Sequence, residues 1–169
     1  KREKTNMKNI ILIGMPGCGK STFGKILAER LQLTFVDADT YLEQKEGKTI
    51  PELFAVSESC FRDAEERTIQ ELSQKENLVI ATGGGVVKRE INITRLKKSG
   101  RILFIDRKPE DIVSDVEVGT RPLLAEGAQK VFDLYKERIE LYRKSADVTV
   151  ENKGPLDKVL DDLLKTLRG

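Results

Sequence analysis

Short apolar runs separated by longer stretches with one apolar face set the rhythm of this chain. Ile10-Ile11-Leu12-Ile13 is a continuous apolar run, the pattern of a strand buried on both faces, and it leads directly into Gly14. Phe23, Ile26, Leu27 and Leu31 then recur at helical spacing. Thr34 to Asp37 reads as a second strand, followed by a helix from Thr40 to Glu46. Thr49 and Glu52 stand at capping-box spacing, with Pro51 in a first turn where its missing N–H does no harm. The stripe of Phe61, Ala64, Ile69 and Leu72 predicts a helix from about Glu58 to Ser73. Leu78 to Ala81 is a third strand, and Gly83-Gly84-Gly85 follows it closely. Ile102 to Ile105 is the next strand, with a helix starting near Pro109 and a loop from Gly119 to Gly127. Val131 to Tyr142 reads as helix and Val148 to Val150 as a last strand; Leu156, Val159, Leu160, Leu163, Leu164 and Leu167 stripe a final helix.

Strands alternating with helices imply an α/β fold with a parallel sheet covered on both faces, and ligands at the carboxyl ends of its strands. At 169 residues the chain suits one domain. Residues 1–6 read as a disordered start, tag or linker, and 7–169 as that single domain. Hydrophobic residues make up 38% and charged residues 34%, with a net charge of +2, the profile of an ordinary globular protein. Neither a nucleic-acid nor a membrane partner is called for. Cys18 and Cys60 make a poor disulfide framework, so a reducing cytoplasm is the expected location. A monomer is the expected unit. The chain has no histidine, which changes the chemistry available. Acid–base work must fall to carboxylates, Lys, Tyr, Cys or water.

Gly14-Met15-Pro16-Gly17-Cys18-Gly19-Lys20-Ser21 fits the P-loop pattern G-x-x-x-x-G-K-[ST], between a predicted strand and a predicted helix. Its backbone N–H groups, including those of Gly17, Cys18, Gly19 and Thr22, can curl around a polyphosphate at the positive end of a helix. Lys20 supplies a mobile positive charge, and the Ser21 hydroxyl is placed to ligate Mg²⁺. Cys18 reads as a small filler within the loop. A P-loop alone is compatible with a GTPase, a regulatory ATP-binding module or a small-molecule kinase.

Other residues narrow the choice. Asp37-Ala38-Asp39 ends the second strand; its carboxylates can serve a Mg²⁺ water shell and a substrate hydroxyl, or cap a helix and face solvent. Arg62 and Glu65 stand three apart on a helix, where the acid can hold the guanidinium for a ligand or form a surface ion pair. Arg143 ends a late helix, where it can meet a ligand or the helix dipole. The triple glycine points to close approach of backbone and ligand. Arg121-Pro122-Leu123-Leu124 lies in the glycine-flanked loop, from which an arginine can reach a transferred phosphoryl group.

The ordered set of P-loop, Asp37-x-Asp39, Phe61-Arg62-x-x-Glu65, Gly83-Gly84-Gly85, Arg121-Pro122-Leu123-Leu124 and Tyr142-Arg143 resembles the shikimate kinase family from about Met7 onward. The resemblance implies a three-layer P-loop fold, similar to adenylate kinase, with a five-stranded parallel sheet, substrate-binding helices over about 40–75 and a mobile lid over about 116–127. It implies phosphorylation of the 3-hydroxyl of shikimate by MgATP. Asp39 would hold the reacting hydroxyl, Arg62 and Arg143 would clamp the substrate carboxylate, and Gly84 and Gly85 would offer N–H groups. Arg121 would be the lid arginine and Asp37 would steady the Mg²⁺ water shell; Lys20, Asp39 and Arg121 would be catalytic. The sequence departs from the family pattern in three places. Ala55-Val56-Ser57-Glu58 lacks a usual glycine, Ala38 replaces a hydroxyl residue, and Ser114 stands where an adenine-stacking arginine is usual. Either Arg107 takes that role or the base rests mainly on backbone around Lys153 to Pro155; the second is the expectation, with Arg107 facing solvent.

Two rivals fit less well. A GTPase would want an Asn-Lys-x-Asp guanine reader, which Asn152-Lys153-Gly154-Pro155 imitates without the aspartate. A gluconate or nucleotide kinase shares the P-loop and lid, but paired arginines and a triple glycine favour a cyclic carboxylic acid.

Overall fold

The structure, a computed structural model, describes residues 9–118 and 125–168. Five strands form one parallel sheet: β1 (Asn9–Ile13), β2 (Thr34–Asp37), β3 (Leu78–Ala81), β4 (Gly100–Asp106) and β5 (Val148–Glu151). Their order across the sheet is β2-β3-β1-β4-β5, so β1 lies at the centre. Ile11 faces Ile80 on one side and Ile102 on the other. Every residue of β1 and β3 is buried, which is why those segments read as unbroken apolar runs.

The helices are α1 (Lys20–Leu31), α2 (Ala38–Glu46), α3 (Ile50–Val56), α4 (Glu58–Leu72), α5 (Glu90–Ser99), α6 (Pro109–Val118), α7 (Ala125–Ser145) and α8 (Leu156–Arg168). They pack on the sheet and on each other: α1 meets α8, α4 meets α5, and α5 and α7 both lie against β4. The capping box forms in full: Thr49 Oγ1 accepts from Glu52 N and Glu52 Oε1 accepts from Thr49 N. Among the described residues no helix is long and apolar enough to cross a membrane.

Two helices depart from the sequence reading. Helix α5 had no predicted counterpart. Only Asn92, Ile93, Leu96 and Ser99 of its ten residues are buried, too mixed a set to stand out as a stripe. Helix α7 starts six residues before Val131 and takes in Gly127, which had been read as loop. Ala125, Glu126, Ala128, Gln129 and Lys130 are good helix formers, and one internal glycine costs only about 1 kcal/mol. The proposed start at 1–6, Arg121 and the centre of the proposed lid, 119–124, lie outside the described residues.

A buried polar residue ties the amino end of the sheet together. The side chain of Asn9, fully buried, donates to Lys75 O at 3.0 Å and accepts from Leu78 N at 2.9 Å. It fixes the entry of β3 beside β1. Asn9→Ala should strand both backbone groups and lower unfolding free energy by about 1–3 kcal/mol for each, a loss read from the urea midpoint. A variant as stable as the parent would remove this anchor.

Candidate active site

Each strand hands over, at its carboxyl end, to a segment of interest. β1 runs into the P-loop, β2 ends at Asp37, β3 leads to the triple glycine, β4 ends at Asp106 before Arg107, and β5 is followed by Asn152.

Unlike α2, α3 and α4, which carry Asp37, Thr49 and Ser57 as side-chain caps, α1 has no side-chain cap. Its cap is Gly19 at φ 109°, a conformation costly for any residue with a side chain. The first N–H groups of α1 therefore remain for an anion. They open on a cavity of about 320 Å³ bordered by Gly17, Gly19, Lys20, Ser21, Thr22, Arg107 and Asp115. Lys20 Nζ bridges the loop, donating to Gly14 O at 2.7 Å and Met15 O at 3.0 Å. Cys18 is fully buried, and burial pushes its thiol pKa up. Its carbonyl accepts from Asn152 Nδ2 at 2.8 Å. The side chain is thus a filler that faces away from the cavity lining.

Asp37 has two tasks. Oδ1 accepts from the N–H groups of Asp39 and Thr40, capping α2, while Oδ2 accepts from Ser21 Oγ at 3.4 Å. The capping role weighed in the sequence is therefore real, and the second oxygen still faces the P-loop. Asp39 turns toward the triple glycine: a methyl group at Gly83 would lie 2.8 Å from its Oδ1. Its pKa is raised, first by desolvation and then by the Asp37 carboxylate, while Lys20 and Arg62 act the other way.

Around the glycines lies a mixed-charge cluster. Arg62 Nη1 pairs with Glu65 Oε1 at 2.8 Å, both side chains nearly buried, so this is not a surface ion pair. The guanidinium also meets Glu58 at 3.3 Å and lies 4.9 Å from the Phe61 ring centroid. A methyl group at Gly85 would sit 2.5 Å from Arg62 Nη2, which only glycine avoids. Glu65 has its pKa raised, chiefly by burial, against the lowering pull of Arg62. The N–H groups of Gly84 and Gly85 donate to no backbone carbonyl among the described residues. Gly84 O accepts from the Tyr142 hydroxyl at 2.7 Å; Tyr142 is fully buried, stacked on Phe104 at 5.0 Å, with its pKa pushed up to about 12 by burial.

The second arginine at this cluster is Arg138, not Arg143. A methyl group at Gly84 would be 3.4 Å from Arg138 Nη1. Arg138 Nε is buried with no hydrogen-bond partner among the described residues, and its charge draws down the pKa values of Tyr142 and Glu65. Arg143 is exposed and pairs at 3.2 Å with Glu140 on its own helix. The reason is helical phase: Arg138 and Tyr142, four apart, share a face of α7, whereas Arg143 is turned about 100° from Tyr142. The spacing from Tyr142 was the signal that the sequence reading passed over.

A second cavity of about 370 Å³ is bordered by Arg107, Asp111, Ser114, Asp115, Asn152, Lys153 and Gly154. Lys153 pairs with Asp111 at 3.7 Å across it. Pro155 does not line it; its carbonyl instead accepts from Lys158 N at 3.1 Å as α8 begins. Arg107 does not face solvent as expected. It folds back over the P-loop, with Nη1 donating to Gly17 O at 3.0 Å and pairing with Asp115 at 3.2 Å. A partner on α6 and a carbonyl on the P-loop hold it there.

Ser21 Oγ and Asp37 Oδ2, 3.4 Å apart, are a pair of oxygen donors beside the P-loop that suit a hard cation. No cluster of three or more metal-type side chains occurs among the described residues.

Comparisons with known proteins identify the family. A family model described as shikimate kinase matches residues 16–168. A shikimate kinase of Clostridium botulinum (strain Eklund 17B / Type B) is 50% identical, covering 95% of this chain and 98% of its own. One from Clostridium beijerinckii is 45% identical, covering 95% and 96%. A solved shikimate kinase from Acinetobacter baumannii, in complex with shikimate, superposes with a TM-score of 0.85 at 35% identity, covering 96% of this chain and 93% of that one. The Aquifex aeolicus enzyme gives 0.82 at 35% identity, covering 95% and 96%. The chain therefore belongs to the shikimate kinase family.

Proposed function

We propose that this chain transfers the γ-phosphoryl group of ATP to the 3-hydroxyl of shikimate, giving shikimate 3-phosphate and ADP. The observation that carries the reading is the contact between the two halves of the site. A methyl group at Gly84 would lie 2.8 Å from Pro16 Cδ, so the glycine turn and the phosphate loop touch. An acceptor on the glycine turn would meet a phosphate in the P-loop without further approach.

Each half suits its ligand. Arg62 and Arg138 offer guanidinium forks to the carboxylate of shikimate. The free N–H groups of Gly84 and Gly85 suit a substrate oxygen. Asp39 takes the hydrogen of the reacting hydroxyl. Its raised pKa makes it a better base than an ordinary aspartate, and a loose transition state asks for proton removal only late. Lys20 leaves the Gly14 and Met15 carbonyls for the β- and γ-phosphates. Ser21 and, through water, Asp37 would hold Mg²⁺, which would supply positive charge against the phosphates. Gly17, Cys18, Gly19 and Thr22 contribute backbone to the cradle, and Lys153 borders the base cavity. Arg121 is retained as a cation for the transferred group on its motif alone. Under this reading a monomer is the working unit. Free cysteines and small polar substrates support the cytoplasm as its location.

Coupled ADP release should appear with shikimate and stay at background with gluconate, nucleoside monophosphates or no acceptor. Lys20→Ala should abolish it at an unchanged melting temperature. Turnover with another acceptor and none with shikimate would reject the reading.

The arginine assignment separates cleanly. Arg62→Ala and Arg138→Ala should each raise KM for shikimate tenfold or more, as about 1.5–3 kcal/mol of charged hydrogen bonding is lost, with KM for ATP little changed. Arg143→Ala should leave both within about twofold, as for a surface ion pair. A large effect at Arg143 alone would reverse the correction.

The pH dependence follows from Asp39. Its active form is the carboxylate and its pKa is raised, so kcat/KM should fall on acidification with a midpoint above the ordinary aspartate value near ~3.9. Asp39→Asn should flatten that limb and lower kcat about a hundredfold. An unchanged acid limb in Asp39→Asn would assign the proton to another group.

A further inference from the structure

Arg107 and Asp115 border two cavities at once. One is the phosphate cavity over Lys20, Ser21 and Thr22; the other lies between α6 and the segment after β5. A nucleoside triphosphate with its phosphates in the first must send its ribose and base past this pair to reach the second. The Arg107 side chain is 22% exposed and anchored to the Gly17 carbonyl, whereas the Asp115 side chain is 67% exposed. The cation is fixed by the P-loop; the anion reaches it from solvent.

A carboxylate and a phosphate present the same kind of oxygen pair to a guanidinium fork. Asp115 therefore occupies on Arg107 the place that a nucleotide phosphate would take. Its negative charge also stands at the edge of a cavity built for polyanions, where it opposes their entry. Among the described residues, the bonded partners of this pair are Gly17 O and each other, not the acceptor cluster.

Resting on the reading that ATP is the donor, we propose that Arg107 is a nucleotide-binding residue and that Asp115 is its displaceable counter-ion. Binding of ATP exchanges the Arg107–Asp115 pair for an Arg107–phosphate pair and unties α6 from the P-loop. Asp115 thereby weakens nucleotide affinity and sets how readily the donor is released. Arg107 also supplies a guanidinium beside the second cavity, where position 114 holds only a serine hydroxyl.

The two residues should act with opposite signs. Calorimetric titration of the full chain with MgATP at fixed ionic strength reads the affinity, and steady-state assays read KM for both substrates. Arg107→Ala should weaken ATP binding about tenfold, the loss of one charge-assisted hydrogen bond, while KM for shikimate stays within about twofold. Arg107→Lys should recover part of the loss by keeping the charge. Asp115→Asn should strengthen ATP binding about threefold or more and slow ADP release. If Asp115 merely holds Arg107 in place, Asp115→Asn will instead weaken ATP binding as Arg107→Ala does, and the inference is overturned. It is also overturned if both variants bind ATP as the parent does while Lys20→Ala abolishes binding. A parent that binds no ATP would reject the donor assignment itself. Melting temperatures without ligand, equal to the parent's, exclude misfolding as the cause.

Discussion

Parallel pairing of β1 with β3, with Leu12 opposite Ala81, brings the two halves of the site to one level. Parallel strands in register end together, so the loops that leave them must emerge side by side. Thr82 extends the pairing by one residue, its N–H and hydroxyl both donating to Leu12 O. Beyond that point one chain turns into the phosphate loop and the other into three glycines. Any larger residue at position 84 would push Pro16 away and separate donor from acceptor.

The acceptor cluster shows how charge is arranged once water is limited. Two carboxylates, Asp39 and Glu65, and two guanidinium groups, Arg62 and Arg138, surround the glycine turn. A buried ion pair contributes little net stability, because desolvation of both partners offsets their attraction. The Arg62–Glu65 pair is better understood as orientation: it fixes the guanidinium beside the glycine turn. Tyr142 does the same for backbone, its hydroxyl holding the Gly84 carbonyl.

What the sequence revealed followed from how local each feature is. The strands of the central sheet were legible because burial on both faces leaves uninterrupted apolar runs. The P-loop was legible because its function lies in contiguous backbone. Arg138 was not, because its role comes from helical phase relative to Tyr142 and from a carbonyl 58 positions away on that tyrosine's partner. Arg107 was misjudged for a similar reason. A residue just past a strand gives no hint that a carbonyl 90 positions earlier will hold it back over the loop. Helix α5 escaped notice because it buries asparagine and serine along with its aliphatic residues.

The burial of Cys18 has a consequence for redox chemistry. A cysteine beside a lysine at the start of a helix would ordinarily be a reactive thiolate, open to oxidation and alkylation. Here desolvation outweighs the Lys20 ammonium, so the thiol stays protonated and out of solvent. Cys60, partly exposed on the first turn of α4, is then the sulfur that peroxide or an alkylating agent meets first. Oxidative injury would thus reach α4 next to Phe61 and Arg62 while sparing the phosphate loop.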